Sequence, residues 1–310
     1  MPYFSNRRDF TKTLLAAAAG ISVSRIAFGA TGDSAITATR LTDDLTLISG
    51  AGGNIVVLAQ AEGLLLVNGG LPERTADLVK FLDKEFKGQH VTTLFNTDWH
   101  LEHTGSNGTL RKSEAKIIAH ENTKLWIGAD FYSDWENKRY KPRPVEALPT
   151  ETFYTNGKMT FGKVAIDYGY MMQAHTDGDI YVFFPEQNVL VAGDVLSVGR
   201  YPILDYVTGG WIGGLQNANQ TLLKVANPET KIVPGSGPVQ THVDLQAQAD
   251  MCNSMRDRLV KLMRQGMGPQ DMIAAAPSKE FDTKWGNPEV FIRQAYRGMW
   301  GHVRELGNIV

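Results

Sequence analysis

The 310-residue sequence contains a single cysteine, Cys252, so an intrachain disulfide is excluded. Cys252 lies in "DLQAQADMCNSMRDRLVKLM", a helical pattern beside Met251 and Met255, and reads as a small buried hydrophobe. The chain also lacks an excess of positive charge. Its formal net charge of −2 leaves no basic footprint for nucleic acid. The apolar stretch "LLAAAAGISV" at 14–23 is too short to span a bilayer, so no stable membrane insertion is expected. Low-complexity tracts and an obvious interdomain linker are absent as well. Against these absences stand 43% hydrophobic residues, enough for a sizeable core.

The first thirty residues differ from the rest. "SNRRDFTK" sets Arg7 and Arg8 before Phe10 and Lys12, the apolar stretch follows, and small residues close it in "AFGA" at 27–30. A basic start, a short apolar middle and a small-residue exit read as a signal peptide. The order Arg-Arg-x-Phe-x-Lys resembles a twin-arginine export signal, which implies a periplasmic protein. The organisation expected is a signal over 1–30 and one domain over 31–310. Removal of the signal takes away four basic residues and one acid and leaves a charge of −5.

Short extended runs come next: "LTLISG", "NIVVLAQ" and "GLLLVNGG", punctuated by glycines. "PERTADLVKFLDKEF" at 72–86 has helical spacing, and "VTTLF" and "AKIIAH" are strands. Residues 126–150, with Trp126, Trp135 and three prolines, read as a long irregular excursion. The second half repeats the plan. "MTFGKVAIDYGYM" and "DIYVFFPEQNVLVAGDV" are strands, the latter a hairpin around 186–188. "GGLQNANQTLLKVA", residues 243–265 and the tail "NPEVFIRQAYRGMWGHV" are helices. Two mixed sheets packed together, with helices on the outer faces, fit this order.

Residues 96–107, "NTDWHLEHTGSN", hold two of the seven histidines together with Asp98 and Glu102. On an extended segment Asp98 and His100 share one face, while Trp99 and Leu101 point the other way. Glu102 and His103 follow as the chain turns and approach the same point. Oxygen and nitrogen donors in this density form a candidate divalent-metal site. Further donors sit in comparable settings. His175 opens the turn "AHTDGD", Asp194 ends the strand "VLVAGD", and "VPGSGP" at 233–238 is another strand exit.

Taken in order, "NTDWHLEHTGSN", "AHTDGD", "VLVAGD" and "PGSGP" resemble the metallo-β-lactamase superfamily over residues 41–240. That pattern runs His-x-His-x-Asp-His, then a His, an Asp, and a last His in Pro-Gly-His-Gly-Pro. The resemblance implies a four-layer αββα sandwich with a metal site at one edge of its two sheets. It implies His100 and His175 at a first metal position, with Asp98 as a third ligand, and Asp194 as the bridging carboxylate. A second position keeps His103 and Glu102. The chain departs from the pattern at Asp98, Glu102 and Ser236, where the family has His, Asp and His. Asn68 replaces an Asp.

The chemistry the resemblance implies is hydrolysis by a metal-bound hydroxide, with Glu102 and Asp194 as catalytic carboxylates. One or two ions are expected. Zinc leads, and the carboxylate-rich set tilts preference toward manganese or iron. The expected substrate is a small ester-, lactone- or amide-like molecule. Trp99, Trp211 in "GGWIGG" and Ser236 are candidates for its walls. Two other readings stay open: a non-catalytic binding or sensing protein with a degenerate metal site, and an iron-dependent redox enzyme.

Overall fold

The computed structural model describes residues 35–304 and residue 306. The export signal expected over 1–30 lies outside them. An antiparallel meander opens the fold: β1 (Thr37–Arg40), β2 (Leu45–Ser49), β3 (Ile55–Gln60) and β4 (Gly63–Val67). Helix α1 (Thr75–Glu85) leads to β5 (Val91–Phe95), which runs parallel to β4. The short helices α2 (Leu101–Thr104) and α3 (Asn107–Lys112) precede β6 (Lys116–His120), which is parallel to β5. Helix α4 (Glu121–Ile127) and a ribbon of β7 (Phe131–Ser133) and β8 (Lys138–Tyr140) lead to β9 (Glu151–Phe153). Strand β9 completes a seven-stranded sheet ordered β1-β2-β3-β4-β5-β6-β9.

The second sheet has five strands in chain order. They are β10 (Asn156–Phe161), β11 (Val164–Tyr170), β12 (Ile180–Phe184), β13 (Val189–Gly193) and β14 (Lys231–Pro234), the last parallel to β13. Helix α5 (Ile212–Val225) forms the crossover between β13 and β14. Four helices follow: α6 (His242–Arg264), α7 (Pro269–Ala274), α8 (Asp282–Trp285) and α9 (Glu289–Gly301). Among the described residues, no helix is long and apolar enough to cross a membrane.

Strand periodicity explains why the layers stack. In β4, Leu64, Leu65, Leu66 and Val67 are all fully buried. Leu64 and Leu66 pack with Leu78 and Leu82 of α1, while Leu65 and Val67 pack against Val182 and Phe184 of the other sheet. Strand β13 does the same. Val189 and Val191 face the first sheet, and Leu190 and Ala192 face α5, α6 and α9. A strand covered on both faces has no polar side, which is why these segments read as unbroken apolar runs. The result is the expected αββα sandwich.

Two expectations need correction. The excursion at 126–150 contains the β7–β8 ribbon. Phe131 stacks on Tyr140 with ring centroids 5.2 Å apart, and both meet Trp99 edge-on. Three-residue strands are too short to show a period in sequence. The segment at 97–100 is a series of bends, not an extended strand. The Asp98 Oδ1 atom accepts from the His100 N–H at 2.8 Å and folds the chain back, so Asp98 and His100 do not share a strand face.

Candidate metal centre

The sequence motifs meet at one edge of the sandwich. Strand β5 ends at Phe95 and releases the donor-rich loop that runs into α2. His175 lies between β11 and β12, Asp194 directly follows β13, and Gly235 directly follows β14. Asn68, just past β4, holds the loop in place. Its backbone is left-handed at φ +72°, a conformation Asn tolerates better than most residues. Its side-chain oxygen accepts from the Thr97 N–H and Oγ1 at 2.9 and 3.0 Å.

Three histidines converge there, each buried. The His103 Nδ1 atom lies 2.7 Å from Asp98 Oδ2, and the His175 Nδ1 atom lies 3.0 Å from the Ile203 carbonyl. A carboxylate and a carbonyl can only accept, so both rings carry their proton on Nδ1. In the neutral form of each ring the Nε2 lone pair is therefore free. A carboxylate or carbonyl behind the ring is how proteins orient a metal-binding imidazole. His100 Nε2 faces Asp205 Oδ2 at 3.5 Å. The Nε2 atoms of His100, His103 and His175 are all buried without a hydrogen-bond partner. Three such atoms in one place would be costly unless something else satisfies them.

Asp194 stands between two of them. Its Oδ1 is 3.8 Å from His103 Nε2, and its Oδ2 is 3.8 Å from His175 Nε2. Ligands about 2.1 Å from one tetrahedral ion lie roughly 3.4 Å apart, so these spacings need only a small contraction. The His100 and His175 ring centroids are 4.7 Å apart. Gly235 keeps the space open. A Cβ there would lie 2.0 Å from Asp194 Oδ1 and 3.0 Å from His103 Nε2. The donor set fits a divalent cation: soft enough at the imidazoles for zinc, and hard enough at the carboxylates for manganese or iron.

Electrostatics match this. Burial works against a charged His100, but the Asp205 carboxylate beside it, with Glu102 and Asp98, pushes it up to about 10. Burial likewise opposes a charged His103, and Asp98 and Asp194 push it up to about 9. Asp98 is buried, which favours its neutral form, yet the His103 ring holds it below the usual carboxylate range. Asp205 is also held low despite burial, chiefly by His100. The centre therefore has a surplus of buried carboxylates that binds protons when it has no other cation.

The remaining sequence candidates fall as follows. Asp98, His103 and Asp194 place donor atoms within 4.8 Å of one another. Asp98, however, already uses Oδ1 on the His100 N–H and Oδ2 on the His103 ring, so it braces His103 instead of standing free beside His100. Glu102 is half-buried on the first turn of α2. Trp99 does not form a mouth. It is buried, donates to Thr208 Oγ1 at 3.0 Å and packs 4.2 Å from the His100 ring. Trp211 is also buried, stacking on His302 at 3.9 Å within the helical core. Ser236 lines a cleft with Ser49 and Asn54, and it is Gly235 that touches the histidine cluster. Asp205 was not legible in sequence. It is fully buried and accepts from Thr208 Oγ1 at 2.5 Å and Trp135 Nε1 at 2.9 Å. Nothing in "YPILDYV" marks it, because its role depends on His100 and Trp135, which are far away along the chain.

Comparison with known proteins agrees with this architecture. Residues 48–237 match the model of the metallo-beta-lactamase superfamily. The chain is 25% identical over 187 residues to a metallo-beta-lactamase type 2 of Bacillus cereus, covering 60% of this chain and 67% of that protein. The corresponding protein of Bacillus sp. (strain 170) is 26% identical over the same extent. Among solved structures, a metallo-beta-lactamase from Pontibacter korlensis superposes with a TM-score of 0.57 at 19% identity, over 70% of this chain and 99% of the other. A stereoselective inverting sec-alkylsulfatase from Pseudomonas sp. superposes with a TM-score of 0.66 at 14% identity, over 84% of this chain and 50% of the other. With the motifs, the layered fold and a family match across most of its length, this chain belongs to the metallo-beta-lactamase superfamily.

Proposed function

We propose that this chain is a metal-dependent hydrolase of a small ester-, lactone- or amide-like substrate, exported to the periplasm by its N-terminal segment. One observation carries the reading. Three buried Nε2 atoms lack partners, two of them flank Asp194, and those two rings are locked with Nε2 presented. His103, His175 and Asp194 would hold the ion, and His100 stands beside them. A divalent ion held there would supply Lewis acidity and make a water easier to deprotonate.

The chain's own residues do the rest. Asp98 and the Ile203 carbonyl keep the two imidazoles in the binding tautomer. Gly235 leaves the face of the cluster clear for a substrate to approach. Glu102, on the first turn of α2 and near enough for its charge to act on His100 and His103, would be the carboxylate that takes a proton there. Because Ser236 offers only a neutral hydroxyl where the family has a histidine, the ligand set favours one tightly held ion and a weaker second, with zinc the leading choice.

The test combines metal content with turnover. Elemental analysis after mild dialysis should find about one divalent ion per chain. A panel of esters, lactones, amides, β-lactams and sulfate esters should yield a substrate whose hydrolysis disappears in His175→Ala. Failure to bind metal under any loading condition would defeat the reading. So would a hydrolytic rate indifferent to His175→Ala. Metal retention with no turnover across the panel would favour the binding or sensing alternative.

A further inference from the structure

The C-terminal helices build a cavity that the proposed hydrolysis does not use. Its volume is about 520 Å³, and its walls include Trp135, Tyr206, Val290, Arg293, Gln294 and Arg297. That volume suits a small organic molecule. None of His100, His103, His175 or Asp194 lines it. Most of its walls come from α7 and α9, beyond the segment that matches the superfamily.

Three features specify what it would take. The first is charge. Arg293 donates to Gln270 Oε1 at 3.0 Å, a neutral acceptor that brings no opposing charge. Arg297 lies 3.5 Å from Asp134, whose other oxygen accepts from the Tyr206 hydroxyl at 2.5 Å. Two guanidinium groups thus lie in the walls, only Arg297 has a carboxylate beside it, and the lining is net positive.

The second feature is an unused donor. Gln294 is 1% exposed, and its Oε1 accepts from the Leu204 N–H at 3.0 Å. Its Nε2 has no partner. A buried amide N–H₂ left without an acceptor is a cost that an acceptor-bearing ligand would remove.

The third is the apolar surface of Trp135, Tyr206 and Val290, which suits a hydrocarbon body. Trp135 is also a shared wall. Its indole N–H donates to Asp205, the carboxylate that faces His100.

We propose that this cavity is an accessory binding site for a small amphipathic organic anion. Such a ligand has a hydrocarbon body of several carbons and a carboxylate or sulfate head, and it binds apart from the metal centre. Its head pairs with Arg293, Arg297 and the Gln294 amide, and its body lies on Trp135 and Tyr206.

Isothermal titration of the full-length, metal-loaded protein tests this with octanoate and octyl sulfate as probes and octylammonium as the cationic control. At least one anion should bind saturably at one site per chain. Whichever binds more tightly identifies the preferred head. Octylammonium should bind at least about tenfold more weakly, as should the anion to Arg293→Gln and Arg297→Gln, since a charge-assisted hydrogen bond is worth a decade or more of affinity. Arg293→Lys keeps the charge and should retain most of the binding, which separates recognition from misfolding. Removing the metal should change the affinity less than twofold. The proposal is overturned if neither anion binds, or if the cation binds equally well. It is also overturned if binding vanishes with the metal and ignores both arginine variants, because the anion then sits at the metal centre. None of these results depends on hydrolytic turnover.

Discussion

The two sides of the histidine cluster are built by different means. On the β5 side, Asn96 to Asn107 carry their own scaffold. Asp98 braces His103 five residues on and binds the His100 N–H two residues on, and Asn96 bonds both the His103 carbonyl and Asn107. On the side of the second sheet, His175 is held by Ile203 and Asp194 simply follows β13. Asp205 reaches His100 only because Trp135 and Thr208 aim it there. One half is assembled by local hydrogen bonds, and the other by the packing of distant strands and loops. A local scaffold closes short loops at little entropic cost, whereas the distant half depends on the whole sandwich being formed.

Removing a donor from the distant half should have the largest effect. His175→Ala or Asp194→Ala should lose tight metal binding, and elemental analysis with competition titration measures the loss. It should exceed the roughly 10–100-fold typical of a partner one step removed from the ion. Gly235→Ala comes next. The added carbon collides with Asp194 Oδ1, so metal affinity should fall while the helical circular dichroism spectrum stays unchanged. Unaltered affinity would show that the strand exit yields more easily than its packing indicates.

The bracing carboxylates separate the two halves directly. Asp98→Asn loses the 2.7 Å charge-assisted bond to His103 and should weaken metal binding by about 10–100-fold. Asp205→Asn acts on His100 from 3.5 Å and should cost less. If Asp205→Asn proves the more damaging, the local half is not the better organised one.

The smallest expected effect is on pH dependence. In the metal-free protein His100 and His103 stand at about 10 and 9, above the usual histidine value of about 6.5. Raised values mean that the folded state holds protons the unfolded chain has released. This contribution to stability is complete below about pH 6.5 and is lost as pH rises through 9 and 10. Thermal unfolding of metal-stripped protein should therefore show a falling midpoint from pH 7 to 10, and the metal-loaded protein a flatter one. Metal uptake at pH 8 should also release protons, read by titration in buffers of differing ionisation enthalpy. Uptake without proton release would place the ion away from these rings.

Much of this was legible from the residues. Each long strand, the helix at 212–225 and the helix at 242–264 announce themselves through period and punctuation. The latter begins at the Thr241 and Asp244 capping box, one residue before the apolar pattern suggests. The donors His100, His103, His175 and Asp194 were also readable, since strand ends and turns with His or Asp are local features. The roles within the set were not. Spacing in sequence made Asp98 a free donor beside His100, but a bend turned it behind His103. Trp99 and Trp211 read as mouth residues and became packing.

By itself, then, the sequence determined the layer order and the inventory of donors, because hydrophobic period and turn chemistry act over a few residues. Only the tertiary structure decided which imidazole nitrogen is free, which carboxylate braces and which faces the cluster, and that Asp205 and the cavity under α9 exist at all. Those depend on atoms brought within 4 Å from segments up to a hundred or more residues apart, and no local pattern encodes such a distance.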